Sequence, residues 1–200
     1  MLVLSVRMLK ITGGQFKGQS IVTPPGFQAR PTLARVREAI FNSLQSEVPE
    51  ARVLDCFAGS GALGFEAMSR EASSVLFVES SKRSVACLEK TIQKLKLQSK
   101  TQIISKPIER VTSLLTQKGP FDLVFADPPY DSELAHWILK EFPWDDCLSP
   151  DGILVLETRQ QNGLFADQIG CLAKVREKKY GDTLVTQFKR QGSSAAEDDS

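Results

Sequence analysis

Arg52-Val53-Leu54-Asp55-Cys56-Phe57-Ala58-Gly59-Ser60-Gly61-Ala62-Leu63-Gly64 is the stretch whose reading decides the fold. Arg52–Phe57 reads as a short apolar strand and Ala62–Arg70 as a helix. The glycines between them let the chain turn sharply and let a ligand lie against bare backbone. The spacing Gly59-x-Gly61-x-x-Gly64 fits the fingerprint of a strand–turn–helix that carries a nucleotide cofactor. Glu79 ends the next strand, Ser74–Glu79, where a carboxylate can accept hydrogen bonds from ribose hydroxyls. Glycines alone do not choose between NAD and S-adenosylmethionine. Asp55 shifts the balance, because a pyrophosphate arriving at that strand end is repelled by it. A cofactor with an amino group, a sulfonium and no phosphate is favoured there.

Outward from this stretch the chain alternates strands and helices. Lys82–Leu97 is an amphipathic helix with Val85, Leu88, Ile92 and Leu95 on one face. Thr101–Ser105 is a weak strand, Ile108–Thr116 a helix, Phe121–Ala126 a strand, Leu134–Phe142 a helix and Gly152–Glu157 a strand. Ala173–Tyr180 and Thr183–Lys189 close the pattern as a hairpin across Gly181-Asp182. The expected fold is therefore α/β and Rossmann-like: a mostly parallel seven-stranded sheet with helices on both faces and a C-terminal antiparallel hairpin. In front of it, residues 8–22 read as a loose hairpin. Leu33, Val36, Ile40, Phe41 and Leu44 mark a helix that starts near Pro31-Thr32. The expected division is an N-terminal basic arm over 1–45 packed on the core, a main domain over 46–191 and a small, polar, acidic tail over 192–200 that is expected to be disordered.

The strand Phe121–Ala126 runs into Asp127-Pro128-Pro129-Tyr130. Two prolines fix an extended turn and remove two amide donors. An ionised Asp127 only accepts hydrogen bonds. The exocyclic amine of a nucleobase has hydrogens to donate and a poorly available lone pair. Acceptors that grip those hydrogens hold the nitrogen and enrich it in electrons, and the Tyr130 ring offers a stacking face for the base. Such a site works by orientation and by electrostatic stabilisation of developing positive charge. It needs neither a metal nor a covalent intermediate. The base must be unpaired or pulled from its stack to enter.

Of 200 residues, 42% are hydrophobic and 24% charged, an ordinary globular composition. No stretch is long and apolar enough to cross a bilayer, and the start lacks the features of a signal peptide, so the expectation is a cytoplasmic protein. Met8 is a second candidate start. The four cysteines, Cys56, Cys87, Cys147 and Cys171, have no metal or redox spacing and read as core residues. The net charge of +1 hides an asymmetry. Arg7, Lys10, Lys17, Arg30, Arg35 and Arg37 fall in the first 37 residues, and all 24 acidic residues lie beyond them. A basic arm on an acidic body suits a polyanionic partner.

Asp55 to Gly61, Glu79 and Asp127-Pro128-Pro129-Tyr130, in this order, are similar to class I methyltransferases that act on amino groups. Gly13-Gly14, Lys17-Gly18, Arg30-Pro31-Thr32, Arg35-Val36-Arg37-Glu38, Phe41-Asn42, Glu66-Ala67, Ser69-Arg70 and Tyr180-Gly181-Asp182-Thr183 narrow this, and the chain resembles the RsmD family from Met8 to about Lys189. That family methylates the N2 amino group of one guanine in bacterial 16S ribosomal RNA, within a small-subunit assembly particle, using S-adenosylmethionine. The resemblance implies that Asp55, Phe57, Ala58, Gly59, Ser60, Gly61, Glu79, Ser80 and Ile108 hold the cofactor. It implies that Asp127, Pro128, Pro129 and Tyr130 hold the guanine, and that Lys17, Arg30, Thr32 and Arg35 face RNA. There are departures. Glu71 stands where the family tends to have glycine, Gln19 where a second basic residue is common, and Lys106-Pro107 where an acid often meets the adenine, so no adenine-binding acid is assigned.

Two readings compete. A nicotinamide-dependent oxidoreductase accounts for the glycines and Glu79 but leaves Asp127 to Tyr130 without a role. A non-catalytic RNA-binding protein accounts for the arm but not for an intact pocket. Asp127 to Tyr130 alone also suit adenine N6 or a DNA base. His136, Trp137, Phe142 and Trp144 read as packing residues, Asp145-Asp146 as surface acids rather than metal ligands, and Lys178-Lys179 as a solvated pair. No surface calls for a second copy, so a monomer is expected.

Overall fold

The computed structural model describes residues 8–26, 31–129, 133–159 and 165–191. The tail over 192–200 lies outside them. The strands are β1 (Arg52–Asp55), β2 (Ser74–Val78), β3 (Thr101–Ile104), β4 (Phe121–Ala126), β5 (Leu148–Arg159), β6 (Gln168–Ile169), β7 (Leu172–Tyr180) and β8 (Thr183–Arg190). The helices are α1 (Pro31–Ser43), α2 (Ala62–Ser69), α3 (Lys82–Leu95), α4 (Thr112–Lys118), α5 (Leu134–Lys140) and α6 (Trp144–Cys147). All strands join one sheet in the order β3-β2-β1-β4-β5-β8-β7-β6. The first five in that order are parallel, and β8, β7 and β6 are antiparallel additions.

Alternation along the strands sends successive side chains to opposite faces. Val53, Phe77, Leu123, Phe125 and Val155 meet Val36, Ile40 and Phe41 of α1, Phe65 and Met68 of α2, and Leu88 and Ile92 of α3. Leu54, Leu76, Val124, Leu154 and Leu156 meet Ile108, Leu115 of α4, Ile138 and Leu139 of α5, and Trp144. Each such side chain taken from water contributes about 1.5–3 kcal/mol before chain entropy is set against it. Two buried faces explain why these strands are almost continuously apolar.

The α/β class expected from the sequence is present, with differences of detail. The sheet has an eighth strand, the two-residue β6 at its edge. β5 begins at Leu148, where Leu148 pairs with Phe121 ahead of a register shift. The region expected as one helix from Ile108 is a 3-10 turn over Ile108–Arg110 followed by α4. α3 stops at Leu95 because Lys96 is left-handed, with φ 57°. Its buried stripe is Cys87, Leu88, Thr91, Ile92 and Leu95, and Val85 is only half-buried. The front segment is hairpin-like, and among the described residues it carries one bridge, Lys10 to Ser20.

That segment is fastened by a buried hub. The Glu66 carboxylate accepts from Thr12 N–H (2.8 Å), Thr12 Oγ1 (2.7 Å), Arg37 Nε (3.2 Å) and Arg70 Nε (3.1 Å) and Nη2 (3.0 Å). Arg37 also donates to the Lys10 carbonyl at 2.6 Å. Ser69 receives the Gly13–Phe16 turn: Gln15 N–H donates to its carbonyl and Phe16 N–H to its hydroxyl. A Cβ on Gly14 would lie 1.8 Å from the Ser69 carbonyl oxygen, so only glycine allows this approach. Glu71, which replaces the expected glycine, keeps the left-handed turn with φ 73°.

Candidate active site

The chain runs from β1 outward to β2 and β3, then returns to β4 and β5 on the other side of β1. The connections therefore part between β1 and β4, and the crevice beyond the carboxyl ends of those strands is where open α/β sheets bind ligands. β1 and β4 are hydrogen-bonded neighbours, with Asp55 paired to Phe125, so the glycine loop and Asp127 share one crevice. A cleft of about 420 Å³ sits there. Its walls include Phe57, Gly59, Glu79, Ser80, Ile108, Asp127 and Pro129, all named from the sequence. They also include Cys56, Val78, Lys106, Pro107, Glu109 and Leu134, which were assigned no site role there.

The loop is built to stay open. Gly59 and Gly61 are left-handed, with φ 52° and 76°. A Cβ on Gly61 would lie 2.5 Å from Leu88 and 2.6 Å from Phe65, so this glycine lets α2 start tight against α3. A Cβ on Gly64 would lie 2.3 Å from the Phe77 ring, so α2 lies close on β2. Among the described residues nothing stands within 4 Å of the Cβ position of Gly59 except the Phe57 carbonyl oxygen, at 4.0 Å. Its backbone is bare on the cleft side.

Two loop amides and one in the first turn of α2 already have partners. Gly59 N–H donates to Glu79 Oε2 at 2.6 Å. Gly61 N–H donates to the Ala58 carbonyl at 2.6 Å. Gly64 N–H donates to Asp55 Oδ2 at 3.1 Å. Phosphate binding at a helix N-terminus relies on amides of this kind being available. With these committed and a carboxylate beneath, the loop does not suit a pyrophosphate. Glu79 is half-buried, and its other oxygen accepts from Ser81 N–H at 2.6 Å. A carboxylate has about four lone-pair positions, so two accepted bonds leave room for a pair of hydroxyls.

Asp55, 3% exposed, stands behind the loop rather than in the wall. Burial pushes its carboxyl up to about 7, against the Gly64 hydrogen bond and with help from the charges of Asp127 and Glu79. Asp127 is exposed to the cleft, yet desolvation among the strand ends raises it to about 6. Ala58, Gly61 and Pro128 are buried and Ser60 is half-buried in the turn. Lys17 and Arg35 are exposed on the front turn and on α1. Tyr130, Arg30 and the Thr32 side chain lie outside the described residues. Glu66 and Glu157 were assigned no role from the sequence, because only the fold brings them beside Thr12 and Asp127.

The weaker candidates settle into packing. Trp144 Nε1–H donates to the Ile138 carbonyl at 2.7 Å, and Phe142 stacks between Trp144 and Trp137. His136 is exposed with its ring on Phe165, and Asp145 pairs with Arg190. Among the described residues no helix is long and apolar enough to cross a membrane.

A parallel sheet reversing between β1 and β4, a glycine loop unsuited to phosphate and a ribose-side acid opposite an Asp-Pro-Pro turn define a Rossmann-like class I methyltransferase. The chain belongs to the family of ribosomal RNA small subunit methyltransferase D, and the family model that matches it, described as conserved hypothetical protein 95, spans residues 9–189. It is 32% identical over 192 residues to Ribosomal RNA small subunit methyltransferase D of Escherichia coli strain K12, covering 96% of this chain and 94% of that one. It is also 32% identical over 167 residues to the protein of that name in Haemophilus influenzae, covering 83% and 86%. The solved structure of yhhF from Escherichia coli superposes with a TM-score of 0.80 at 33% identity, covering 92% of this chain and 99% of that one.

Proposed function

We propose that this chain transfers the methyl group of S-adenosylmethionine to the exocyclic N2 amino group of a guanine in small-subunit (16S) ribosomal RNA. The observation that carries the reading is the shared crevice of β1 and β4, where Asp127 faces a loop whose Gly59 amide is taken by Glu79, with the Gly64 amide behind it taken by Asp55. The cofactor, when bound, supplies an electrophilic methyl on a sulfonium. Glu79 holds its ribose hydroxyls, Gly59 lets it lie against backbone, and Phe57, Val78, Ile108 and Leu134 give its base an apolar slot. The carboxyls of Asp55 and Asp127 favour positive charge at the sulfur and amino group.

Asp127, ionised at neutral pH, accepts from the target amine and orients its nitrogen toward the methyl. As the nitrogen becomes cationic in the transition state, the same carboxylate stabilises it, and it then takes the proton that the methylated amine sheds. Tyr130 is assigned the stacking face by the sequence motif, with Pro128 and Pro129 fixing the turn that presents it. Lys17, Arg30, Thr32 and Arg35 are assigned to RNA, and residues 1–45 work as the substrate arm of the domain over 46–191. The protein acts in the cytoplasm as a monomer, on a small-subunit assembly particle.

Thermal unfolding with added ligand tests the cofactor. S-adenosylhomocysteine raises Tm in a concentration-dependent way and NAD does not. Protection by NAD alone turns the assignment toward an oxidoreductase.

A further inference from the structure

We propose that Glu157 reads the target guanine, accepting its N1–H while Asp127 takes the N2 amino group. The inference rests on the assignment of Asp127 to that amino group, and it adds a residue that distinguishes guanine from other amine-bearing bases.

Ala126 of β4 pairs with Leu156 of β5, and both strands run in parallel. Asp127 and Glu157 each stand one residue beyond that pair, at the same level on neighbouring strands, which lie about 4.8 Å apart. Phe125 pairs with Val155 on this face and with Asp55 on β1. Asp55, Val155 and Glu157 thus share the face covered by α1 and α2.

Glu157 is 7% exposed. Among the described residues nothing donates a hydrogen bond to its carboxyl. The cation that faces it, Arg37 of α1, gives Nε to Glu66 and Nη2 to the Lys10 carbonyl and acts on Glu157 by charge, not by a hydrogen bond among the described residues. The other charged groups that act on it are Asp127 and Asp55, both acids. Burial first, then Asp127, push Glu157 well above its ordinary value, with Arg37 opposing and Asp55 adding to the rise. A carboxyl 7% exposed, beside two other acids and given no hydrogen bond among the described residues, has acceptors left unused. It makes sense where the donor arrives with the substrate.

Guanine is the base that brings it. Its Watson–Crick edge carries N1–H directly beside the N2 amino group, two neighbouring donors for two neighbouring carboxyls. Adenine places an acceptor, N1, beside its amine, and cytosine places N3 there. A base drawn from its stack is read along this edge.

The test uses small-subunit particles reconstituted with 16S rRNA that carries guanine or 2-aminopurine at the methylated position. 2-Aminopurine keeps the amine and lacks both the N1 hydrogen and O6, so the Glu157→Gln variant is what assigns the loss to N1. The N1–H donor favours the ionised form of Glu157, so the unaltered protein is expected to lose about tenfold to a hundredfold in kcat/KM on 2-aminopurine, the effect of one hydrogen bond to a charged group. Glu157→Gln, whose amide both accepts and donates, should narrow that preference to about threefold or less. Glu157→Leu should lose about tenfold to a hundredfold on guanine, with its affinity for S-adenosylhomocysteine unchanged. Equal use of both bases by the unaltered protein overturns the proposal, and so does full activity of Glu157→Leu. If Glu157→Leu does not fold, the base preference of the unaltered protein and of Glu157→Gln still decides. Undiminished methylation by Asp127→Ala sinks instead the assignment on which the proposal rests.

Discussion

Replacing Glu79 by glutamine changes two atoms in the wall of the cleft, and the structure gives its consequences. Glu79 accepts from Gly59 N–H and from Ser81 N–H, each at 2.6 Å, with one oxygen apiece. A glutamine has one oxygen. In either orientation its amide nitrogen, a donor, faces a backbone donor. A hydrogen bond to a charged group contributes about 1.5–3 kcal/mol. The Ser81 end is exposed, so water replaces that bond and the loss falls at the low end, about 1–2 kcal/mol. The ligand-free variant should lose that much in urea unfolding. The cofactor site loses more, since the Gly59 turn is freed and an acceptor for ribose is gone. At about 1.4 kcal/mol per factor of ten, the Kd for S-adenosylhomocysteine measured by calorimetry should rise about tenfold to a hundredfold. Affinity equal to that of the unaltered protein, with the loss in stability as expected, would show Glu79 to be a loop pin with no part in the cofactor site. No change in either quantity would refute the hydrogen-bond argument itself.

Other outcomes follow from particular side chains. With Asp127 at about 6, kcat/KM should fall as pH drops through about 6, and Asp127→Asn should abolish both the step and most of the activity. Asp55, raised from 3.8 to about 7, binds a proton more readily folded than unfolded. The ligand-free protein should therefore lose stability as pH rises between those values, and Asp55→Asn should flatten that slope in urea unfolding at several pH values. Glu66→Ala leaves Arg37, 4% exposed, without its carboxylate, and should cost about 3–5 kcal/mol in thermal or urea unfolding. Glu71→Gly relieves a left-handed residue and should raise stability by about 0.5–1 kcal/mol in the same assay.

The parts of this architecture that the sequence made plain are those with a strong local signal. Arg52, Ser74 and Phe121 open strands as expected because each precedes a run of residues buried on both sheet faces. The turn at Gly59–Gly61 was legible because sharp left-handed turns next to a packed helix leave few alternatives to glycine. Short elements such as β6 and α6 were not, since two or four residues carry no periodicity. The early start of β5 at Leu148 depends on pairing with Phe121, a contact made only in the sheet. Among site residues, Glu79 and Asp127 sit beside motifs and were visible. Asp55 was expected to meet the cofactor, and the fold places it beneath the loop with Gly64. Glu66 and Glu157 lie within ordinary helix and strand patterns, and only the sheet register and the arm's docking give them neighbours.

Mass spectrometry of nucleosides from defined fragments of 16S rRNA asks the central question most directly. Cells with the protein should carry one N2-methylguanosine that is missing when the gene is deleted, restored by the unaltered chain and not by Asp127→Ala. An unchanged set of modified guanines in the deleted strain, or full restoration by Asp127→Ala, would contradict the account.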